Sequence, residues 1–268
     1  LVKIIEDKPP DYMTVDEISM IGGEGWSVLN YIKQRIPEIK FILFGDITRQ
    51  LAPVGEEKRK FSNSICIKEL VNFNRTILKY NFRRGGDRNE LWDDWSLHPY
   101  RFKIDEKPLT ERNISYTNKT RKRVIDLIQE NHPDPVMWLD CEVGEDKDNT
   151  GCNNRLMLAY DTPLIARKSS KDRQIAKNEI WRVDDFEDEN IILKFEDRTE
   201  SFTKAEICKE WLSAYCITIH KCQGDTYDDE YTIWDWRMIS RDRSYDGRRL
   251  RYVAQSRSTN PKELISYK

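Results

Sequence analysis

Apolar and polar positions change their period several times along these 268 residues. Short runs of β-branched and aromatic residues predict strands over 12–15, 40–44, 76–79, 114–117 and 215–219. Between them, amphipathic stretches predict helices over 25–35, 87–95 and 118–131. Strands alternating with helices in this way predict an α/β fold with a mostly parallel sheet. The texture changes between 154 and 203. There Ile180-Trp-Arg-Val183 and Ile191-Ile-Leu-Lys-Phe195 are short alternating runs separated by acidic turns, which predicts a small β module inserted in the larger fold, with Trp181 in its core. No internal repeat, low-complexity tract or flexible linker interrupts the pattern.

Composition narrows the class. Hydrophobic residues make up 38% and charged residues 34% of the chain, which suits a soluble protein with charged helix faces. No apolar run reaches the ~20 residues of a membrane span, so no membrane partner is expected. Six cysteines, at 66, 141, 152, 208, 216 and 222, form no C-x-x-C pair and are expected to be reduced thiols. That points to an intracellular location: cytoplasmic, nuclear or a viral replication site. The net charge of −2 gives no global signal for nucleic acid. Basic residues nevertheless concentrate at 119–123, 167–173 and 237–251, and a local basic groove is enough to track a single strand.

Several segments carry chemistry. Tyr12-Met-Thr-Val-Asp-Glu-Ile-Ser-Met20 is a strand that ends in Asp16-Glu17. A strand-end Asp can hold Mg²⁺ directly or through water, and an adjacent Glu can activate an attacking water. Phe41-Ile-Leu-Phe-Gly-Asp-Ile-Thr-Arg-Gln-Leu-Ala-Pro-Val54 is a second strand with an exit loop containing Gln50. Leu78-Lys-Tyr-Asn-Phe-Arg-Arg84 offers Arg83, with Arg84 as the competing choice, as a rigid cationic fork for phosphate. In Ile114-Ser-Tyr-Thr-Asn-Lys-Thr-Arg121, Thr117 and Asn118 stand at a helix start, where they either donate to a phosphate or simply cap the helix. Ala214-Tyr-Cys-Ile-Thr-Ile-His-Lys-Cys-Gln-Gly-Asp-Thr226 runs from an apolar strand into His-Lys-x-Gln-Gly, and Leu250-Arg-Tyr-Val-Ala-Gln-Ser-Arg257 ends on a further arginine.

These six segments, in this order from Tyr12 to Arg257, resemble the motifs of superfamily 1B DNA helicases, the RecD-like and Pif-type branch. The resemblance implies tandem RecA-like parallel-sheet domains with a small inserted SH3-like β-barrel. By that reading residues 1–74 are the C-terminal part of a truncated first RecA-like domain. Residues 75–268 are the second, with the β module at about 155–204. It further implies ATP and Mg²⁺ as cofactors and single-stranded DNA as partner, with RNA as a possibility, and 5′ to 3′ movement. Asp16, Gln50, Arg83, Gln223, Gly224 and Arg257 would face the nucleotide, Asp16 holding the metal and Glu17 activating water. Gln50 would sense the γ-phosphate, and Arg83 and Arg257 would be arginine fingers. Thr117, Asn118, Thr218, His220, Lys221 and Thr226 would contact nucleic acid.

One part of the pattern is missing. None of the eleven glycines is followed by Lys, so there is no Gly-x-x-x-x-Gly-Lys-[Ser/Thr] loop to cradle phosphates. Leu1 instead of Met agrees with a fragment. The expectation is therefore a helicase core that is inactive as this isolated chain, completed by the missing part of its first domain or by a complementing chain. Two other classes remain open: an ATP-independent single-strand-binding module, and a structural subunit that uses the same fold.

Overall fold

A computed structural model describes residues 2–53, 55, 64–81, 86–87, 110–141, 155–260 and 264–268. In chain order the elements are α1 (Val2–Asp7), β1 (Tyr12–Val15), a 3₁₀ turn (Ile18–Met20), α2 (Gly23–Arg35), β2 (Lys40–Leu43), α3 (Ile65–Leu70), β3 (Tyr80–Asn81), β4 (Gly86–Asp87) and β5 (Arg112–Ser115). They continue with α4 (Asn118–Glu130), β6 (Met137–Asp140), β7 (Arg155–Leu158), β8 (Pro163–Ala166), β9 (Ile180–Glu187), β10 (Asn190–Phe195) and β11 (Arg198–Thr203). Last come α5 (Lys204–Glu210), β12 (Trp211–Ser213), β13 (Cys216–Thr218), β14 (Tyr231–Ile233), α6 (Trp236–Arg241), α7 (Tyr245–Gln255) and β15 (Ile265–Tyr267). Among the described residues no helix is long and apolar enough to cross a membrane.

The chain divides into two compact units. The first takes residues 1–102, 223–228 and 237–261; the second takes 103–222, 229–236 and 262–268. In the first unit β1 and β2 pair in parallel, Tyr12 opposite Lys40 and Val15 opposite Leu43. Their inward positions, Met13, Val15, Phe41 and Leu43, pack on Trp26, Leu29 and Ile32 of α2 together with Ile18, Ile39 and Leu70. The spacing of Trp26, Leu29 and Ile32 gives α2 its one buried face. Glu24 in its first turn and Lys33 and Arg35 in its last complement the helix dipole. Lys33 Nζ then closes the end by donating to the carbonyls of Pro37 (2.7 Å) and Ile39 (2.9 Å).

The second unit holds an all-parallel sheet of order β13-β5-β14-β15 and an antiparallel sheet of order β11-β10-β9-β8-β12, besides the β6–β7 hairpin. Asn113 lies fully buried in the parallel sheet because all its side-chain groups are used. Its Nδ2 donates to Thr110 O and Tyr215 O, and its Oδ1 accepts from Trp234 Nε1 at 2.9 Å. The antiparallel sheet closes over Trp181, Val183, Ile191, Leu193, Phe202 and Trp211. Trp181 is core, as expected, with its indole N–H satisfied by Glu179 Oε2 at 3.0 Å. A capping box between Thr203 and Glu206 starts α5, which leads into β12 and extends this sheet past residue 204.

The fold is mixed α/β with parallel sheets, as the periodicity predicts. Three strand expectations differ by two residues or more, while β2 stops one residue short of the expected 44. Residues 76–79 form no strand: Ile77 and Leu78 are exposed, and no neighbouring strand pairs with them among the described residues. The strand expected over 114–117 ends at Ser115, because the amides of Tyr116 and Thr117 donate to Asp235 Oδ2 instead of to a neighbouring strand. The strand expected over 215–219 is trimmed to Cys216–Thr218. The helix expected over 87–95 lies outside the described residues apart from Asp87, which belongs to β4.

Candidate functional site

In the first unit, the exit of β1 collects most of the residues the sequence singled out for a nucleotide. Asp16 is exposed and accepts from the Glu17 amide at 2.7 Å. Glu17 itself is left-handed, φ 50° and ψ 46°. For a residue with a side chain that conformation costs about 1–3 kcal/mol and persists only where surroundings impose it. Here they do. Ile18 N donates to Phe44 O at 3.0 Å, tying the turn after β1 to the exit of β2. The approach is close enough that Gly45, at φ +141°, has no room for a side chain. A Cβ there would sit 2.8 Å from Ile18 N and 2.9 Å from Ile18 Cγ1.

Two glutamine amides converge on the Glu17 carboxylate. Gln50 Nε2 approaches Oε1 at 3.5 Å and Gln223 Nε2 approaches Oε2 at 3.4 Å. Ser19, buried beneath them, donates to Gln50 Oε1 at 3.2 Å and accepts from Gln223 Nε2 at 3.0 Å. Asp46 N also donates to Gln50 Oε1, and Leu51 N to Gln223 Oε1 (3.3 Å). Each amide is therefore oriented at both ends. Gly224 follows at φ +97°, where a Cβ would lie 3.8 Å from Glu17 Oε1.

Arg257 reaches this cluster indirectly. It is buried, and its guanidinium donates to Val253 O (3.1 Å), Ser256 Oγ (2.8 Å) and Asp225 O (3.0 Å), so it anchors the residue after Gly224. Tyr227 adds to the anchor through its amide, which donates to Arg257 O at 2.8 Å. Thr226 between them is exposed. Arg83 and Arg84 lie outside the described residues.

Sequence reasoning missed the residues that shape the 46–50 turn. Asp46 Oδ1 accepts from the amides of Thr48 and Arg49 (both 3.1 Å) and from Thr48 Oγ1 (2.6 Å). Arg249 of α7 donates to the carbonyls of Ile47 and Thr48, and Tyr245 Oη donates to Thr48 O. Ser19 carried a signal, since it adjoins Asp16-Glu17. Arg249 and Tyr245 carried none, because their partners are about 200 residues away in sequence.

The second unit holds the other predicted residues. Strands β5 and β13 pair in parallel with Ser115 opposite Thr218, so their carboxyl ends lie side by side, the end where ligands of open α/β sheets bind. Thr117 caps α4, accepting from Thr120 N at 3.1 Å, while Asn118 is exposed in its first turn. The Thr117 amide and hydroxyl both donate to Asp235 Oδ2, and Thr120 Oγ1 donates to Oδ1 at 2.6 Å. A carboxylate of the chain itself thus fills the start of this helix. After β13, the Lys221 and Cys222 amides donate to Thr218 O and fold Thr218, His220 and Lys221 into a tight turn. The Lys221 ammonium is pushed below its ordinary pKa, first by burial and then by Arg121, Lys177 and Arg167. Burial pushes the Cys216 thiol up to about 12, so it offers no thiolate for chemistry.

Asp16 suits Mg²⁺, which takes one or two carboxylates and completes its shell with phosphate oxygens and water. No group of three or more His, Cys, Asp or Glu that could hold a metal occurs among the described residues.

No protein-family model matches the sequence, and no curated protein matches it. Solved structures do resemble the chain. A Pif1 helicase from Bacteroides in complex with ADP-AlF3 and single-stranded DNA matches with a TM-score of 0.68 at 18% identity, over 100% of this chain and 72% of that one. A Bacteroides Pif1 bound to single-stranded DNA gives 0.64 at 18%, over 99% and 72%. The Pif1 helicase from Candida albicans gives 0.66 at 16%, over 99% and 75%. Across essentially its whole length, this chain has the fold of the Pif1 helicases.

Proposed function

We propose that this chain is the core of an ATP-dependent 5′–3′ DNA helicase, in which ATP hydrolysis drives movement along single-stranded DNA. The convergence of Gln50 and Gln223 on the Glu17 carboxylate carries this reading: two amides from distant segments hold one acid at the carboxyl end of β1. In an enzyme of this kind that acid takes the proton of the water attacking the γ-phosphate. A positioned general base of this type contributes about 10²–10⁴ in rate. Gln50 and Gln223 fix its orientation, and Ser19 links them, so a shift of either glutamine moves the base. Asp16 would hold Mg²⁺, which when bound supplies charge neutralisation at the β- and γ-phosphates. Arg257 serves as a finger only if its bonds to Asp225 O and Val253 O exchange for phosphate oxygens. Arg83 is proposed on the resemblance alone. Thr117, Asn118, Thr218, His220, Lys221 and Thr226 are proposed to contact the strand, and the antiparallel sheet of the second unit is proposed to be the SH3-like module.

The same reading requires a partner. With no Gly-Lys loop in the sequence, phosphates lack their backbone cradle, and losing even one preorganised donor costs about 10²–10³ in rate. We therefore propose that the isolated chain hydrolyses ATP negligibly and is completed by a βα segment carrying that loop, packed against β1 and β2. A second reading, an ATP-independent single-strand-binding module, is favoured by the occupied guanidinium of Arg257.

The test is strand displacement on tailed duplexes by the chain together with a segment bearing a Gly-x-x-x-x-Gly-Lys-[Ser/Thr] loop. The helicase reading predicts displacement from a 5′ tail and none from a 3′ tail, abolished by Glu17→Gln. Strand binding with no displacement from either tail would instead support the binding module.

A further inference from the structure

One helix of the first unit holds both segments whose glutamines meet at Glu17. Arg249 lies in the second turn of α7, and Arg257 lies two residues past its end. Arg257 donates to Asp225 O at 3.0 Å and so ties down the chain just after Gln223 and Gly224. Arg249 does the same for the chain just before Gln50. Its Nε donates to Thr48 O at 3.2 Å and its Nη2 to the preceding carbonyl, Ile47 O. The two glutamines come from distant parts of the sequence, and α7 is the element common to both anchors.

The Arg249 guanidinium is committed to this turn. The residue is buried, Nη1 faces the Asp246 carboxylate at 3.8 Å, and the group lies 4.7 Å from the centre of the Tyr245 ring. A rigid planar fork suits two successive carbonyls, and charge-assisted bonds of this kind are stronger than neutral ones. From the same helix, Tyr245 Oη also donates to Thr48 O. On the other edge of the turn, Asp46 Oδ1 accepts from the Thr48 and Arg49 amides. The turn is thus gripped on both sides, its amides by Asp46 and its carbonyls by α7. Gln50 leaves it already directed: Oε1 accepts from Asp46 N and Ser19 Oγ, both at 3.2 Å, which turns Nε2 to Glu17 Oε1. α7 can hold the turn because its own place is fixed. Ser244 Oγ caps it by accepting from Gly247 N at 3.0 Å, and Arg251 Nη1 donates to Ile239 O (2.8 Å) and Asp242 O (2.6 Å). At Gly247 the approach is so close that a Cβ would lie 2.4 Å from Asp242 Cγ.

We propose that Arg249 is a positioning residue for the candidate acid: by fixing the Ile47 and Thr48 carbonyls it sets the 46–50 turn, and through it the Gln50 amide that orients Glu17. This rests on the reading of Glu17 as the acid of an ATP-driven helicase core. It adds to that reading a residue that acts through Gln50.

NMR of the full chain carrying isotope-labelled glutamine tests it. The readout is the Gln50 side-chain amide, assigned by the loss of its peak in Gln50→Glu. Arg249→Met keeps the apolar stem and removes every donor. It should shift the Gln50 amide toward the position that this amide takes in Glu17→Ala, where the acceptor is gone. Arg249→Lys can still reach a carbonyl and should shift it less. Tyr245→Phe, an exposed change that removes only the hydroxyl bonded to Thr48 O, should shift it in the same direction, and it keeps the test decisive if the methionine variant does not fold. Arg35→Met is the control, an exposed arginine of the same unit that pairs with Glu6, and should leave the amide in place. Circular dichroism confirms that each variant is folded. An unmoved Gln50 amide in folded Arg249→Met, or in Tyr245→Phe should the former not fold, would overturn the proposal while leaving the Glu17 contact intact. An equal shift of the Gln255 amide, in α7 itself, would also overturn it, by showing only a disturbed helix. A Gln50 amide indifferent to Glu17→Ala would overturn the contact that carries the helicase reading, and the role of Arg249 with it.

Discussion

The two parallel sheets of this molecule use similar residues and are covered very differently. In β13-β5-β14-β15 nearly every position is buried or half-buried, and Ile114, Cys216, Tyr231 and Ile233 are essentially inaccessible to water. In the β1–β2 pair only one face is covered. Met13, Val15 and Phe41 pack inward on α2, while Tyr12 (55% exposed), Ile42 (40%) and, just after β2, Phe44 (50%) face water. Parallel strands are normally buried on both faces, and a two-stranded parallel pair is marginal by itself. Yet it is the half-covered pair that carries Glu17, Gln50 and the strained turn between them. The candidate chemistry thus resides on the pair with one bare face, and we propose that the completing segment covers Tyr12, Ile42 and Phe44.

Substitutions in the two sheets should separate them. Ile114→Ala removes a side chain from the fully covered sheet, and should lower unfolding free energy by about 2–5 kcal/mol in urea titrations. A decrease under about 1 kcal/mol would show that this sheet is less well packed than its burial indicates. Gly45→Ala, at the close approach beside Glu17, should cost about 1–3 kcal/mol from the left-handed backbone and the clash with Ile18. It should also reduce turnover of the complemented protein, because it moves Glu17. Ile42→Asp on the bare face should change the stability of the isolated chain by no more than about 0.5 kcal/mol. It should nevertheless abolish recruitment of the completing segment in a pull-down. A large destabilisation there would mean the face is already covered.

The smallest effect expected concerns Lys221. Its folded pKa lies below its unfolded value, so the unfolded state binds more protons in the window between the two. The penalty is therefore fully present below the folded pKa and fades as pH rises toward the ordinary lysine value. Lys221→Met should accordingly raise the urea midpoint slightly at neutral pH while weakening strand binding. A lowered midpoint would contradict an ammonium disfavoured by its burial.

Much of the fold was legible because its strands are short, apolar and strongly bounded. The strand at 12–15 and the helix from 118 were read within a residue, since Asp16-Glu17 and Thr117 mark their ends. The run at 76–79 has strand composition but no strand partner among the described residues, and composition cannot report pairing. The candidate site was legible where its residues lie in continuous motifs: Glu17, Gln50, Gln223 and Gly224 do come together. What could not be read is proximity over long sequence distance. Examples are Arg249 and Tyr245 on the 46–50 turn and Asp235 at the start of α4. These depend on where the chain returns in space, which no local pattern encodes.

The most direct measurement is ATP hydrolysis with and without single-stranded DNA, comparing the isolated chain with the chain plus a phosphate-loop segment. The account predicts no turnover above background for the isolated chain, and strand-stimulated turnover once the segment is present. Turnover by the isolated chain, or none in the complemented protein despite strand binding, would contradict it.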